Sequence, residues 1–251
     1  MSQNKKKVKI GIIGGSGLDD PKILKNPRKK VVNTDYGKPA SKLTIGNIGN
    51  CEVMILARHG EKHLIPPTQI PFKANMAVLK KMKCELILAT TACGSLKESM
   101  KPGDIVFIDQ FIDFTKHRSL TFFENKVIHT SMAEPFDKNL RKQLIKTAKK
   151  LKFNYHPKGT MITIEGPRFS TRAESLMFRK LGADLINMST VPEVILANEL
   201  GIPYQSIAMV TDYDCWKENE ESVTFELILK RMKKNSGKVK KILINLIVSL
   251  K

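Results

Sequence analysis

The sequence of 251 residues is short of cysteine and of aromatic side chains, and it has no long apolar run. Its four cysteines show neither CxxC spacing nor the density of a disulfide framework, which argues against a zinc site and suits a reducing compartment. No stretch of about 18 apolar residues could span a membrane, and the N-terminal residues MSQNKKKVKI lack the apolar core of a secretory signal. These absences predict a cytoplasmic protein with no metal site and no membrane contact.

Acidic residues are also scarce: 24 aspartates and glutamates face 43 lysines and arginines, and the formal net charge is +19. Such an excess is typical of nucleic-acid-binding proteins. The basic residues, however, are scattered along the chain, and the aromatic residues do not alternate with them as a base-stacking platform requires. We therefore expect a solvated basic surface that also attracts anionic substrates, and nucleic-acid binding is the less favoured hypothesis.

The residues that are present predict an α/β protein. Apolar runs of strand length lie at residues 8–13, 43–48, 51–57, 86–90, 105–112, 159–164, 184–188 and 202–210. Helical periodicity lies between several of them, and Thr171 with Glu174 forms a capping-box pattern. Because no repeat or linker divides the chain, we expect a single domain over residues 1–251. Residues 1–7 are expected to be a disordered lysine-rich leader, and residues 222–250 a C-terminal helix.

Several of the predicted strands end in small, hydroxyl-bearing or charged residues. In an open α/β sheet the carboxyl ends of the strands are where ligands bind. The polar stretches are Gly14-Gly15-Ser16-Gly17, Arg58-His59-Gly60, Thr91-Ala92-Cys93-Gly94-Ser95 and Thr211-Asp212-Tyr213-Asp214. The glycine-rich stretch fits neither a dinucleotide fingerprint nor a P-loop. Together the stretches predict an anion pocket beside a carboxylate-lined pocket, in an enzyme or a binding protein.

Two carboxylates, Asp212 and Asp214, follow the last predicted strand. If the strand continues, side chains two residues apart point the same way, and both carboxylates could face one ligand. Alternatively, the stretch is an Asx-rich loop in which Asp214 caps the following helix. The local sequence gives no reason to prefer either structure.

Seven sequence blocks point to a known family. They are KIGIIGGSGLDDP, ARHG, TTACGSL, KPGDIVFIDQFID, TIEGPRFSTRAES, NMSTVPEV and MVTDYDCW. In this order they resemble the S-methyl-5'-thioadenosine phosphorylases, a family of the trimeric purine nucleoside phosphorylase superfamily. The resemblance runs from about Lys9 to about Leu229. It implies an α/β fold of the purine nucleoside phosphorylase type, with a central mixed β-sheet flanked by helices.

The resemblance also implies an activity and an assembly. The activity is phosphorolysis of methylthioadenosine to adenine and 5-methylthioribose 1-phosphate. Inorganic phosphate is the co-substrate, and no metal or organic cofactor is expected. The assembly is a homotrimer whose active sites are shared between subunits. A purine nucleoside or methylthioinosine phosphorylase of the same fold is the alternative.

The resemblance assigns roles to residues at the phosphate and ribose positions. Phosphate would be held by Ser16, Arg58, His59, Thr91, Ala92 and Ser189. Met188 would lie against the ribosyl ring, and Phe169 would pack on the base. The 5′ substituent would be read by His63, by His129 of a neighbouring subunit, and by apolar residues of the C-terminal helix that include Ile228.

At the purine, the resemblance implies that Asp212 is the general acid towards N7 and that Asp214 assists recognition at N6, with Tyr213 also contacting the substrate. A carboxylate accepts from the N6 amino group and a protonated one donates to N7, so the pair favours 6-aminopurines. Ser170 favours methylthioadenosine over methylthioinosine. Phe225 is larger than the residue expected at its position, which would narrow the 5′ pocket.

Overall fold

The computed structural model describes residues 7–14, 21–218, 220 and 224–250, without the side chains of Pro21, Phe225 and Lys234. Its strands are β1 (Lys9–Gly14), β2 (Lys25–Lys30), β3 (Leu43–Ile48), β4 (Cys51–Ala57), β5 (Leu86–Ser95), β6 (Ile105–Phe107), β7 (Gln110–Phe114), β8 (Tyr155–His156), β9 (Thr160–Ile164), β10 (Leu185–Asn187) and β11 (Tyr204–Asp212). Its α-helices are α1 (Phe72–Lys81), α2 (Lys138–Lys150), α3 (Arg172–Lys180), α4 (Glu193–Glu199) and α5 (Phe225–Ser249). None of the helices in these ranges is both long and apolar enough to cross a membrane. Of the predicted leader, only Lys7 belongs to the described residues.

The described strands form one mixed sheet, which confirms the predicted architecture. Its main path has the order β2-β3-β4-β1-β5-β10-β9-β7. β1 is parallel to β4 and β5, whereas β3 and β4 form an antiparallel hairpin. β11 pairs in parallel with β5 and antiparallel with β6, so the sheet branches at β5. The carboxyl ends of β1, β4, β5 and β11 therefore lie at the same edge.

Helices cover both faces of this sheet. Successive strand residues such as Ile12 and Ile13 belong to two different apolar clusters, because side chains along a strand point alternately to the two faces of the sheet. One cluster includes the apolar residues of α1 and α4, and the other those of α2 and α5. α3 begins with the predicted capping box, in which Thr171 and Glu174 satisfy each other's amides. The core thus holds the strand ends in fixed positions.

The prediction of one long strand over residues 105–112 is wrong. The chain forms β6, which is antiparallel to β11, and then β7, which is parallel to β9. The strand is interrupted at Ile108 and Asp109, where Asp109 Oδ1 accepts a hydrogen bond from the Gly159 amide at 2.9 Å. One stretch of the sequence therefore supplies strands to two branches of the sheet.

Two other strands differ from the apolar pattern. β5 does not end near residue 90 but continues to Ser95, because its polar second half pairs with β11 and β10. The sequence pattern does not predict β2, since its residues KNPRKK are polar or proline and all exposed. Lysine and proline are typical of a sheet edge, where they discourage pairing with another chain.

Candidate active site

A cavity of about 470 Å³ opens at the edge of the sheet where β4, β5 and β11 end. Polar residues at or beyond these strand ends form part of its wall. Other parts come from residues 63–67, from the segment between β9 and α3, and from the first turns of α5, where Ile228, Leu229 and Met232 line it. The cavity therefore combines a polar base with apolar sides.

Arg58 follows β4 and is almost completely buried in the cavity wall, with 2% of its surface exposed. Its Nε and Nη2 donate to the two carboxylate oxygens of Glu193 at 2.7 and 2.8 Å, and Nη1 donates to the Thr90 carbonyl at 3.0 Å. Tyr204 Oη donates to the same carboxylate at 2.7 Å. A guanidinium has five N–H donors, and these hydrogen bonds use three of them. Since Arg58 lines the cavity, its other two donors are available to an anion there.

His59 lies next to Arg58, and its Nδ1 is 2.9 Å from the Ile65 carbonyl. Because a carbonyl only accepts, Nδ1 carries a hydrogen. The ring lies against that of His63, with centroids 4.4 Å apart. Burial, assisted by the charge of Arg58, lowers the pKa of His59 to about 4. The imidazole is therefore neutral near pH 7, and Nε2 has a lone pair that can accept a hydrogen bond.

A network of side-chain hydrogen bonds joins β5 to β10. Asn187 Nδ2 donates to the hydroxyls of Thr91 and Thr190 at 2.9 and 2.7 Å, and its Oδ1 accepts from Thr163 at 2.9 Å. The hydroxyls of Thr91 and Ser189 are 3.0 Å apart. The Thr91 hydroxyl accepts from the Asn187 amide and donates to the Ala92 carbonyl at 3.0 Å. The network thus presents Thr91 and Ser189 together at the cavity.

β11 ends at Asp212, so its alternation does not extend to Asp214, which has a left-handed φ of 50°. Asp214 lies in a turn and does not cap α5, the next described helix, because the side chain of Thr224 does so. Both carboxylates nevertheless line the cavity. Asp212 accepts from the Thr211 hydroxyl at 2.6 Å and the Asp214 amide at 2.8 Å, and Asp214 accepts from Ser170 at 2.8 to 2.9 Å. The two carboxylates belong to one hydrogen-bonded turn.

Burial raises the pKa of Asp212, although the Thr211 hydroxyl and the Asp214 amide partly oppose this. The charge of Asp214 adds to the increase, and the charge of Arg231 opposes it. Gly94 permits this dense packing, because a Cβ at that position would lie 2.8 Å from Asp212 Oδ1. Asp212 is therefore easier to protonate than an ordinary aspartate, and it can supply a proton to a bound base.

Comparisons with known proteins bear on this site. Residues 9–248 match the Phosphorylase superfamily. The S-methyl-5'-thioadenosine phosphorylase of Danio rerio is 55% identical to this chain, covering 96% of it and 88% of the relative. That of Thermofilum pendens is 49% identical, covering 97% and 93%. The chain belongs to the S-methyl-5'-thioadenosine phosphorylase family.

Solved structures of this family have the same fold. Methylthioadenosine phosphorylase from Schistosoma mansoni, in complex with adenine, has a TM-score of 0.92 and 43% identity, covering 96% of this chain and 91% of that one. A variant of the adenosine/methylthioadenosine phosphorylase from the same organism, in complex with methylthioadenosine, has a TM-score of 0.91 and 42% identity over the same shares. The described sheet and its helices thus belong to the phosphorylase fold.

The cavity brings together most of the residues that the family resemblance singles out. They are Arg58, His59, His63, Thr91, Ala92, Phe169, Ser170, Met188, Ser189, Asp212, Asp214 and Ile228. Ser16, predicted to bind phosphate, lies outside the described residues, as does the side chain of Phe225, predicted to affect specificity. Their predicted roles stay predictions.

Two other predicted residues do not line the cavity. Tyr213 turns its ring away from it: the hydroxyl is 3.4 Å from the Glu98 carbonyl, and the Lys217 ammonium lies 3.9 Å from the ring centroid. Its predicted contact with the substrate stays a prediction. His129 is exposed in the segment between β7 and α2, outside the cavity of its own chain, and its predicted role concerns a neighbouring subunit.

Sequence reasoning misses three residues that shape the site. Glu193 orients Arg58, Asn187 ties β10 to β5, and Arg118 donates to backbone carbonyls beside the cavity. Only Glu193 has a local signal, because it is a charged residue at the start of the short helix EVILANE, most of whose residues are buried. The other two depend on partners that are distant in sequence.

Proposed function

We propose that the protein cleaves S-methyl-5'-thioadenosine by phosphorolysis and releases adenine and 5-methylthio-α-D-ribose 1-phosphate. The observation that carries the proposal is one cavity lined both by an arginine with two uncommitted donors and by a carboxyl group of raised pKa. The relatives support the choice of nucleoside. Curated relatives about half identical to this chain bear the name of this activity, and solved relatives contain adenine or methylthioadenosine.

The phosphate end of the cavity suits the nucleophile. Glycosidic cleavage passes through an oxocarbenium-like state, and a bound phosphate can stabilise its positive charge and then attack C1′ with inversion. The two uncommitted donors of Arg58 are suited to the anionic oxygens, and so are the hydroxyls of Thr91 and Ser189 when they turn from their protein partners towards phosphate. The lone pair of neutral His59 suits the hydroxyl of hydrogen phosphate. This part of the site binds and orients phosphate.

The carboxylate end suits the leaving group. Negative charge flows into the purine as the bond breaks, and the basicity of N7 rises. Asp212, whose burial favours the protonated form, donates a proton to N7. Asp214 accepts from the N6 amino group while Ser170 donates to its carboxylate. Met188 and Phe169 line the cavity between these groups and pack on the ribose and the base.

Exposed apolar side chains, including one in the part of the cavity expected to hold the 5′ substituent, support an assembly of three copies with shared sites. Leu64 lines the cavity although 77% of its surface is exposed in the single chain. Val127, which is 83% exposed, and Ile128 precede His129 in an exposed segment. Large exposed apolar side chains are suited to burial by a partner. In a homotrimer, this segment of one subunit would bring His129 to the 5′ substituent bound by another.

Inorganic phosphate is the co-substrate in this proposal, and the reaction uses no metal or organic cofactor.

All four cysteines are free thiols. Reduced thiols support a cytoplasmic location, where the glutathione and thioredoxin systems keep cysteine reduced.

A base-release assay tests the proposal with methylthioadenosine, adenosine, methylthioinosine and inosine, each with and without phosphate. We expect phosphate-dependent release of adenine, fastest from methylthioadenosine. Adenosine is a second candidate substrate, because the name of a solved relative contains it. Equal rates with the 6-oxopurine nucleosides would favour a broader purine nucleoside phosphorylase. The absence of phosphate-dependent release from all four would overturn the proposal.

A further inference from the structure

Arg118 lies in the irregular segment after β7, and all five of its N–H donors have partners. Nη1 donates to the carbonyls of Met188 and Val191 at 2.8 and 2.6 Å. Nη2 donates to the carbonyls of Glu165 and Ile164 at 2.7 and 3.4 Å, and Nε donates to Glu165 Oε1 at 3.1 Å. Since a guanidinium has five donors, none is left for a ligand.

The surroundings of Arg118 fix it in place. Only 3% of its side chain is exposed, and its guanidinium lies 5.2 Å from the ring centroid of Phe72. The carboxylate of Glu165 that pairs with it also accepts from the amides of Lys116 and His117, at 2.6 and 3.1 Å. A planar, permanently charged fork suits four carbonyls and a carboxylate far better than a lysine ammonium does.

Two of the carbonyls that Arg118 contacts belong to cavity-lining residues, Met188 and Ile164; the other two belong to Val191 and Glu165, which lie close to them in sequence but do not line the cavity. Met188 and Ser189 form one wall, and the segment that begins at Ile164 forms the other. These walls touch closely, because a Cβ at Gly166 would lie 2.5 Å from Met188 Sδ. Since Nη1 holds the first wall and Nη2 the second, a single rigid group sets the distance between them.

We propose that Arg118 is a positioning residue for phosphorolysis: it fixes the wall that contains Met188 relative to the wall that begins at Ile164. The proposal rests on the proposed function, since these walls enclose the ribose and the base. Arg118 touches neither reactant, so its loss disturbs the alignment of the nucleoside more than the binding of phosphate. A displacement of about 1 Å in an active site can cost on the order of 10²-fold in rate.

The test compares Arg118→Lys with wild type in steady-state phosphorolysis of methylthioadenosine. We expect kcat to fall by about tenfold or more, and the KM for phosphate to change by less than about threefold because Arg58 is intact. Arg141→Lys is the matched control: Arg141 also donates to a carbonyl, that of Pro157 at 3.1 Å, but does not line the cavity. Its kcat should stay within about twofold of wild type.

A rescue experiment separates positioning from loss of fold. In Arg118→Ala, added guanidinium ion at millimolar concentration should restore part of the lost kcat, and it should not do so in Arg141→Ala. Glu165→Gln, which removes only the charge of the partner, should lower kcat by about threefold and serves as the variant if the Arg118 substitutions do not fold.

Three results would overturn the inference while wild type stays active: an unchanged kcat in Arg118→Lys, a folded Arg118→Ala with no response to guanidinium, or an unchanged kcat in Glu165→Gln. An inactive wild type would instead contradict the proposed function. The two failures are therefore distinguishable in one series of assays.

Discussion

The side chains of Arg58 and Arg118 are both buried, and each is paired with a glutamate, but the two arginines differ in what their remaining donors do. Arg58 commits three donors to Glu193 and the Thr90 carbonyl and lines the cavity with two uncommitted. Arg118 commits all five to protein groups and does not line the cavity. Counting donors therefore separates an arginine that binds a ligand from one that holds the walls.

The glutamate partners of the two arginines differ in their burial and in their contacts. Glu193 is completely buried and forms a two-point contact with Arg58, which raises the pKa of Arg58 although burial alone lowers it. Glu165 is partly exposed and contacts Arg118 through one carboxylate oxygen and its backbone carbonyl, and burial lowers the pKa of Arg118 despite these contacts. The positive charge of Arg58 is thus stabilised mainly by the carboxylate of Glu193. That of Arg118 is stabilised by four carbonyl dipoles as well as by the carboxylate of Glu165.

The largest expected effect is on stability, from Glu193→Gln. The substitution leaves Arg58 buried without a counter-charge, and breaking a buried ion pair costs about 3 to 5 kcal/mol. Glu165→Gln keeps the four carbonyl contacts of Arg118 and should cost about 1 kcal/mol. Urea unfolding of both variants measures the difference. Equal losses would remove the distinction between the two arginines.

The second effect extends the comparison to the purine end. Asp212→Asn removes the proton donor for N7, and kcat for methylthioadenosine should fall by about 10² to 10³-fold. Ser170→Ala removes only a donor to Asp214, so the fall should be less than about tenfold. Steady-state rates of both variants test this, and comparable losses would remove Asp212 from the acid role.

The rate should also depend on pH through Asp212. Burial raises its pKa, so the protonated form that donates to N7 persists to higher pH than in an ordinary aspartate. Activity is lost as pH rises through this pKa, and that limb of the profile should be absent in Asp212→Asn. A limb retained in the variant would assign it to another group.

The third effect concerns His59 and acid stability. Burial lowers its pKa from 6.5 to about 4, so between these values the unfolded chain binds more protons. The stabilisation is present above pH 6.5 and is lost as pH falls towards 4; the difference corresponds to about 3 kcal/mol. Unfolding free energies of wild type and His59→Gln near pH 7 and pH 4 measure it. Identical pH dependence in the two proteins would contradict this explanation.

Much of the fold, and the residues that line the cavity at the strand ends, can be predicted from the sequence, because the sequence patterns that indicate them are local. Arg58 directly follows an apolar run and Asp212 lies two residues beyond one, so the strand ends bring both to the sheet edge. The roles of Arg118 and Glu193 cannot be predicted this way, because Arg118 and Met188 are 70 residues apart, and Arg58 and Glu193 are 135 apart. Similarly, nothing in residues 105–112 shows that β6 and β7 pair with different strands.

The most direct test of the two arginines is a phosphate titration of wild type, Arg58→Lys and Arg118→Lys, with methylthioadenosine saturating. Lysine at 58 can keep the contact with Glu193 but loses the fork, so the KM for phosphate should rise by about tenfold or more. In Arg118→Lys we expect a lower kcat with little change in that KM. An equal rise of the KM for phosphate in both variants would contradict the account, because phosphate binding would then depend on Arg118 as much as on the uncommitted donors of Arg58.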